Sequence, residues 1–191
     1  MTLLVLTAPS GAGKTTIARR LMDEVPGLRF SVSATTRAPR RAERDGVDYV
    51  FLSEDAFRER LDAGDFLEHE EVYPGRLYGT LRQAVEDTAR ADGVAAVVLD
   101  VDVKGALNVK RLYGDAALTL FVAPPDLGAL ADRLRARGTE TDAQVQTRLD
   151  RAEMEMGHAP EFDAVVVNDD LDAAVAETVA RVRAFLDRQG G

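Results

Sequence analysis

The sequence predicts an α/β fold built on a parallel central sheet, and three observations carry that prediction. Short apolar runs recur along the 191 residues, segments with helical period lie between them, and a Gly-rich turn joins the first run to the first such segment. The runs are Leu3-Leu4-Val5-Leu6, Ala95-Ala96-Val97-Val98-Leu99, Leu118-Thr119-Leu120-Phe121-Val122 and Ala164-Val165-Val166-Val167. Continuous rather than alternating hydrophobicity marks a strand covered on both faces, which gives three layers with the sheet in the middle. Phe30-Ser31-Val32 is a weaker fifth strand.

The remaining elements follow in chain order. Ile17, Leu21 and Val25 recur every fourth residue in a helix that Pro26-Gly27 ends. From about Ser33 to Tyr78 the alternation of strand and helix breaks. An Arg-rich loop there is followed by strand-like Tyr49-Val50-Phe51, a short helix capped by Ser53 with Phe57 and Leu61 on one face, and the strand-like pieces Phe66-Leu67-Glu68 and Glu71-Val72-Tyr73. This stretch reads as a small subdomain inserted into the core. Asp126 caps a helix bearing Leu127, Leu130 and Leu134 that stops at Gly138. Thr141-Asp142-Ala143-Gln144 is a capping box that opens a helix with Val145, Leu149, Ala152 and Met156 on one face. Val175, Val179, Val182 and Leu186 make a final amphipathic helix after Asn168-Asp169-Asp170.

Composition narrows the function. Asp and Glu number 33 against 24 Lys and Arg, a net charge of -9, whereas a protein that coats nucleic acid gains its affinity from Lys and Arg displacing counterions. Any anionic partner must therefore be met locally. Cysteine is absent, which removes disulfides, a thiol nucleophile and thiolate metal sites. No apolar run approaches the ~18 residues of a membrane span, and Met1 to Thr7 is too short for a secretory leader. The expectation is a soluble cytoplasmic protein without nucleic-acid, membrane or obligatory protein partners.

Directly after the first strand, Ala8-Pro9-Ser10-Gly11-Ala12-Gly13-Lys14-Thr15 opens the first helix. This is a P-loop with Ala8 in place of the first Gly. Small residues let successive backbone N–H groups curl round a phosphate at a helix N-terminus, Lys14 reaches the β and γ phosphates, and the Thr15 hydroxyl ligates Mg²⁺. The motif specifies a nucleoside triphosphate and leaves the phosphate acceptor open. Ser33-Ala34-Thr35-Thr36-Arg37-Ala38-Pro39-Arg40-Arg41 with Tyr49 suits a compact dianion such as a nucleotide monophosphate, because each guanidinium binds two oxygens at once. Taken alone it reads more readily as a solvated charged loop. Arg133 and Arg137, four apart at a helix end, share a face, and by themselves they also fit arginines complementing a helix dipole. Asp100 follows the strand Val97-Val98-Leu99, a position suited to a carboxylate near Mg²⁺, directly or through water.

Several motifs in one order resemble the guanylate kinase family. They are Ser33-x-Thr35-Thr36-Arg37-x-Pro39-Arg40, Gly46-x-Asp48-Tyr49-x-Phe51, Phe66-Leu67-Glu68, Tyr78-Gly79-Thr80, Leu99-Asp100-Val101-Asp102, Arg133-x-x-x-Arg137-Gly138 and Val167-Asn168-Asp169-Asp170. The resemblance runs from about Leu3 to Phe185. It implies a P-loop α/β fold with a core (1–32, 81–132 and 157–191), an inserted GMP-binding subdomain (33–80) and a small helical lid (133–156). The implied reaction, a step of purine nucleotide metabolism, is ATP + GMP to ADP + GDP with Mg²⁺, with dGMP as a second acceptor.

The resemblance also implies site residues. Arg37, Arg40, Tyr49 and Tyr78 hold the GMP phosphate, while Ser33, Glu68, Thr80 and Asp102 read the guanine. Arg133, Arg137 and Arg148 belong to the lid and close over the ATP phosphates, and Asn168 borders the adenine. The guanine set is chemically sensible. Guanine presents N1–H beside an exocyclic amino group, so one carboxylate accepts from both, whereas adenine offers an acceptor at N1. No general base is required, because a phosphate monoester with a second pKa of about 6 is already largely dianionic. Catalysis then rests on positioning and charge neutralisation by Lys14, Mg²⁺ and the arginines, with the inserted subdomain and the lid approaching each other to exclude water. His69 and His158 have no assigned role.

The chain departs from the family pattern at several places. Ala42 stands where Gly is usual, the hairpin Tyr73-Pro74-Gly75-Arg76-Leu77 is one residue longer with Arg76 for Asn, and Lys104 replaces Gln and is placed to pair with Asp102. Three other readings compete: a guanylate kinase-like scaffold module, another monophosphate kinase, and a GTPase switch. Lys14 and Thr15 argue against the scaffold. Asp102-Val103-Lys104-Gly105 fits the D-x-x-G pattern of a switch, but no Asn-Lys-x-Asp box follows.

Overall fold

The computed structural model of the chain describes residues 1–190 apart from 74, 137, 139 and 140. Five parallel strands form the main sheet: β1 (Leu3–Thr7), β2 (Leu28–Phe30), β7 (Ala96–Asp100), β8 (Ala117–Ala123) and β9 (Ala164–Val167), in the spatial order β2-β7-β1-β8-β9. Side chains alternate across the sheet, so β1 feeds two cores. Leu4 and Leu6 pack with Ile17 and Leu21 of α1 (Lys14–Glu24) and with Val175, Val179 and Phe185 of α7 (Leu171–Gln189). Leu3 and Val5 point the other way, towards Val85 of α3 (Arg82–Arg90) and Val103, Ala106 and Val109 of α4 (Val103–Tyr113). Burial on both faces is why β1, β7 and β8 read as unbroken apolar runs.

A second sheet, ordered β4-β3-β6-β5, consists of β3 (Ala34–Thr35), β4 (Val50–Phe51), β5 (Phe66–Tyr73) and β6 (Arg76–Leu81). β5 and β6 form an antiparallel hairpin. Beneath it α2 (Glu54–Asp62), capped by the Ser53 hydroxyl, inserts Phe57 against Phe66, with ring centroids 4.3 Å apart. α5 (Leu127–Ala136) and α6 (Asp142–Gly157) pack on each other through Leu130, Leu134, Val145 and Ala152. Asp126 caps α5, and the capping box of Thr141 and Gln144 opens α6. Among the described residues no helix is long and apolar enough to cross a membrane.

Three local differences from the sequence reading have physical causes. The second strand covers Leu28–Phe30 rather than 30–32, because Leu28 is the residue buried against Ala96, and Ser31 closes the pairing with an N–H to Val98. β5 is one strand with a bulge between Phe66 and Glu68, not two pieces. The turn at Ala42 closes through Glu43 N–H to Arg40 C=O, and no non-glycine residue among those described has positive φ, so this turn does not need a glycine. In the hairpin, Tyr73 and Arg76 stand opposite each other; Pro74 lies outside the described residues.

Candidate active site

The loop after β1 is shaped by two glycines. Gly11 and Gly13 have φ of 99° and 100°, a region L side chains rarely adopt, and a Cβ on Gly13 would collide with the Asn168 amide. Gly13 caps α1 without a side-chain hydrogen bond, and the first turn of α1 carries no acid. The helix start therefore offers its N–H groups to an external anion. Lys14 and Thr15 line a cleft of about 420 Å³ together with Ser10, Gly11 and Gly13. The Lys14 ammonium pairs with the Asp100 carboxylate and donates to the Val101 carbonyl.

The four-stranded sheet forms the facing wall. Ser33, Tyr49, Glu68 and Tyr78 line the cleft there, and Asp100 and Asp102, beyond the end of β7, line its floor. Glu68 is only 9% exposed and accepts a hydrogen bond of 2.5 Å from the Thr80 hydroxyl. Burial, helped by the charge of Asp102 and resisted by the Thr80 bond, pushes its carboxyl up to about 7. Asp102 caps α4 by accepting from the Gly105 N–H at 2.7 Å. Gly105 is what lets the two carboxylates share this corner, since a Cβ there would lie 2.6 Å from Glu68 Oε2 and 3.0 Å from Asp102 Oδ1. Lys104 is exposed, and among the described residues no ion pair joins it to Asp102.

Arg37 sits behind Tyr49, its guanidinium 5.0 Å from the ring centroid, and Tyr49 meets Tyr78 edge to face at 6.1 Å. Its two terminal nitrogens donate to the two oxygens of Glu43 at 2.6 and 2.7 Å, and Glu43 also accepts from the Arg40 backbone N–H. This fork raises the Arg37 pKa, and the same bonds hold the Glu43 carboxyl down at about 2. Burial raises the pKa of the Tyr49 phenol. The Arg40 side chain is exposed.

The remaining expected residues fall in different places. Arg148 reaches the P-loop, donating to the Ser10 hydroxyl at 2.8 Å. Arg133 turns to the Asn168 carbonyl at 2.8 Å rather than to the cleft. Asn168, expected beside the adenine, is 6% exposed, and its amide donates to the Ala12 carbonyl at 2.7 Å, so the side chain braces the P-loop from behind. Arg137 lies outside the described residues, as do Thr139 and Glu140 beside it. Glu43, Glu70, Arg151 and Glu155 were not singled out from the sequence. Of these, Arg151 carried a readable signal, being one turn beyond Arg148 on the same helix face.

The arrangement can hold a triphosphate on one wall and a base-bearing acceptor on the other. Comparisons with known proteins agree. The guanylate kinase family model matches residues 1–186. The guanylate kinase of Salinibacter ruber is 64% identical over 184 residues, spanning 96% of each chain. That of Chlorobaculum tepidum is 49% identical, spanning 96% of this chain and 93% of its own. The crystal structure of guanylate kinase from Anaplasma phagocytophilum superposes with a TM-score of 0.75 at 31% identity, covering 96% of this chain and 85% of that one. With the P-loop wall and the carboxylate-lined wall meeting at one cleft, the chain belongs to the guanylate kinase family.

Proposed function

We propose that the chain transfers the γ-phosphoryl group of ATP to GMP, and to dGMP, giving ADP and the nucleoside diphosphate. The observation that carries this reading is a single cleft with the P-loop on one wall, Glu68 held by Thr80 on the other, and Asp102 on the floor between them. A phosphate oxygen of GMP attacks the γ phosphorus, and the bond from that phosphorus to the β–γ bridging oxygen breaks, leaving ADP. The attacking oxygen is already ionised, so the chain supplies position and positive charge rather than a base.

Each wall has its task. The N–H groups of residues 11 to 15 and the Lys14 ammonium take the β and γ phosphates, with Lys14 leaving Asp100 to do so. Glu68 accepts from guanine N1–H and the amino group while Asp102 and Ser33 complete the base pocket, and Tyr49, Tyr78, Arg37 and Arg40 take the acceptor phosphate. Thr80, buried behind Glu68, holds that carboxylate in place. Arg148, with Arg137 and with Arg133 once it leaves the Asn168 carbonyl, neutralises the transferring phosphate from the lid. On this division, residues 33–80 bind GMP, 133–156 form the lid, and the rest is the core.

The residues present suit Mg²⁺. The Thr15 hydroxyl and the Asp100 carboxylate are hard oxygen donors on the same cleft. Among the described residues no group of three or more Asp, Glu, His or Cys makes an all-protein cage, which fits an ion held largely by nucleotide phosphates and water. Mg²⁺ there supplies neutralisation of phosphate charge. A coupled assay of ADP release tests the function: release is expected to require GMP, and ATP turnover independent of GMP would contradict it.

A further inference from the structure

Helix α6 touches both walls of the cleft. Arg148 reaches the P-loop through Ser10, and one turn later Arg151 reaches the other wall, where its Nη2 lies 3.7 Å from Oε2 of Glu70 on β5. Glu70 stands opposite Tyr78 in the hairpin and Glu68 stands opposite Thr80, so Glu70 shares the cleft-facing side of β5 with Glu68. Its Oε2 is buried without a hydrogen-bond partner. Arg151 is aimed by its own helix, because its Nε donates to Glu155 Oε1 at 2.8 Å. A buried carboxylate oxygen thus faces a guanidinium at ion-pair distance but beyond hydrogen-bond reach. Moving α6 and β5 together by roughly 0.8 Å would complete the bond.

We propose that Arg151 and Glu70 are positioning residues that form a latch between α6 and β5. The latch shortens to a hydrogen bond when both nucleotides occupy the cleft, and it thereby fixes Arg148 relative to the acceptor wall. It links the helix that carries a donor-side arginine to the strand that carries the base-reading Glu68, so it couples occupancy of one half of the cleft to the geometry of the other. Neither residue needs to touch substrate. The inference rests on the kinase reading given above.

A double-mutant cycle in the full chain tests it, using E70Q, R151Q and E70Q/R151Q. Each single substitution is expected to lower kcat at saturating ATP and GMP about fivefold, and the double variant to fall no further than the worse single. GMP affinity measured calorimetrically without ATP stays within about twofold of the parent, because the latch engages only when both halves are filled. R151K keeps the charge without the planar fork; it is expected to lose less than R151Q, and it covers the case in which R151Q does not fold. Losses that multiply in the double variant, single variants that turn over like the parent, or equal losses of GMP affinity without ATP overturn the latch. A parent protein with no GMP-dependent ADP release overturns the kinase reading instead, so the two failures are distinguishable.

Discussion

Acidification from pH 8 to pH 6 is expected to weaken GMP binding through Glu68, by an amount that follows from its surroundings. The carboxylate must be ionised to accept from guanine N1–H and the amino group, and burial beside Asp102 has raised its pKa to about 7. It is therefore about 90% ionised at pH 8 and about 10% at pH 6, a roughly ninefold loss of binding-competent protein. The phosphate of GMP titrates in the same range, with a pKa of about 6. E68Q separates the two, because it keeps the phosphate contribution and removes that of the carboxylate. Calorimetry in two buffers of different ionisation enthalpy should show wild type releasing about half a proton more than E68Q on binding GMP at pH 7. E68Q itself should bind GMP about 10- to 150-fold more weakly at pH 8, the range for a lost hydrogen bond to a charged group. The same pKa sets the sign of a stability effect. The folded value lies above the ordinary 4.5, so stability without nucleotide is fully present below pH 4.5 and is lost as pH rises through 7, and E68Q should flatten that loss. Parallel pH profiles for wild type and E68Q would refute the assignment of the base-reading carboxylate.

Other perturbations probe the rest of the cleft. G105A places a methyl group 2.6 Å from Glu68 Oε2 and should raise the KM for GMP at least tenfold while leaving ATP affinity unchanged; steady-state kinetics with each nucleotide varied decides it. E43Q replaces one oxygen of the fork that holds Arg37 with an N–H donor facing the guanidinium or the Arg40 backbone N–H, and should raise the KM for GMP but not for ATP. An equal rise in both would mean that Glu43 only supports the fold. N168A leaves the Ala12 carbonyl without its buried donor, which should cost about 1–3 kcal/mol in thermal unfolding and weaken ATP before GMP.

Much of this molecule is legible in its sequence where one physical demand dominates. β1, β7 and β8 are buried on both faces, so their composition alone marks them, while β9, an edge strand with Val167 exposed, is marked by its unbroken Ala-Val-Val-Val run. The P-loop is legible because positive φ at Gly11 and Gly13 excludes most other residues. α3 is not legible, since among its nine residues only Val85 is buried and Leu81 before it gives no side-chain cap. α4 is masked by a double role: Asp102 is both its cap and part of the cleft floor. Tertiary partners hide the rest. Nothing local shows that Asn168 lies behind the P-loop or that Arg133 is held by a backbone carbonyl, because each depends on where a distant segment lands, and Arg37 meets Glu43, six residues on, only through the path of the irregular loop between them. The net charge of -9 is a similar case. It describes the body of the molecule, while the chemistry depends on the few cations that reach the cleft.

Acceptor specificity tests the account most directly. With ATP saturating and GMP, AMP, UMP and dTMP offered in turn, kcat/KM for GMP should exceed that for each of the others by at least about 10³-fold, because a base without guanine's paired donors leaves Glu68 and Asp102 unsatisfied in a buried pocket. Comparable turnover of AMP or of a pyrimidine nucleotide would contradict the reading of that wall as a guanine site.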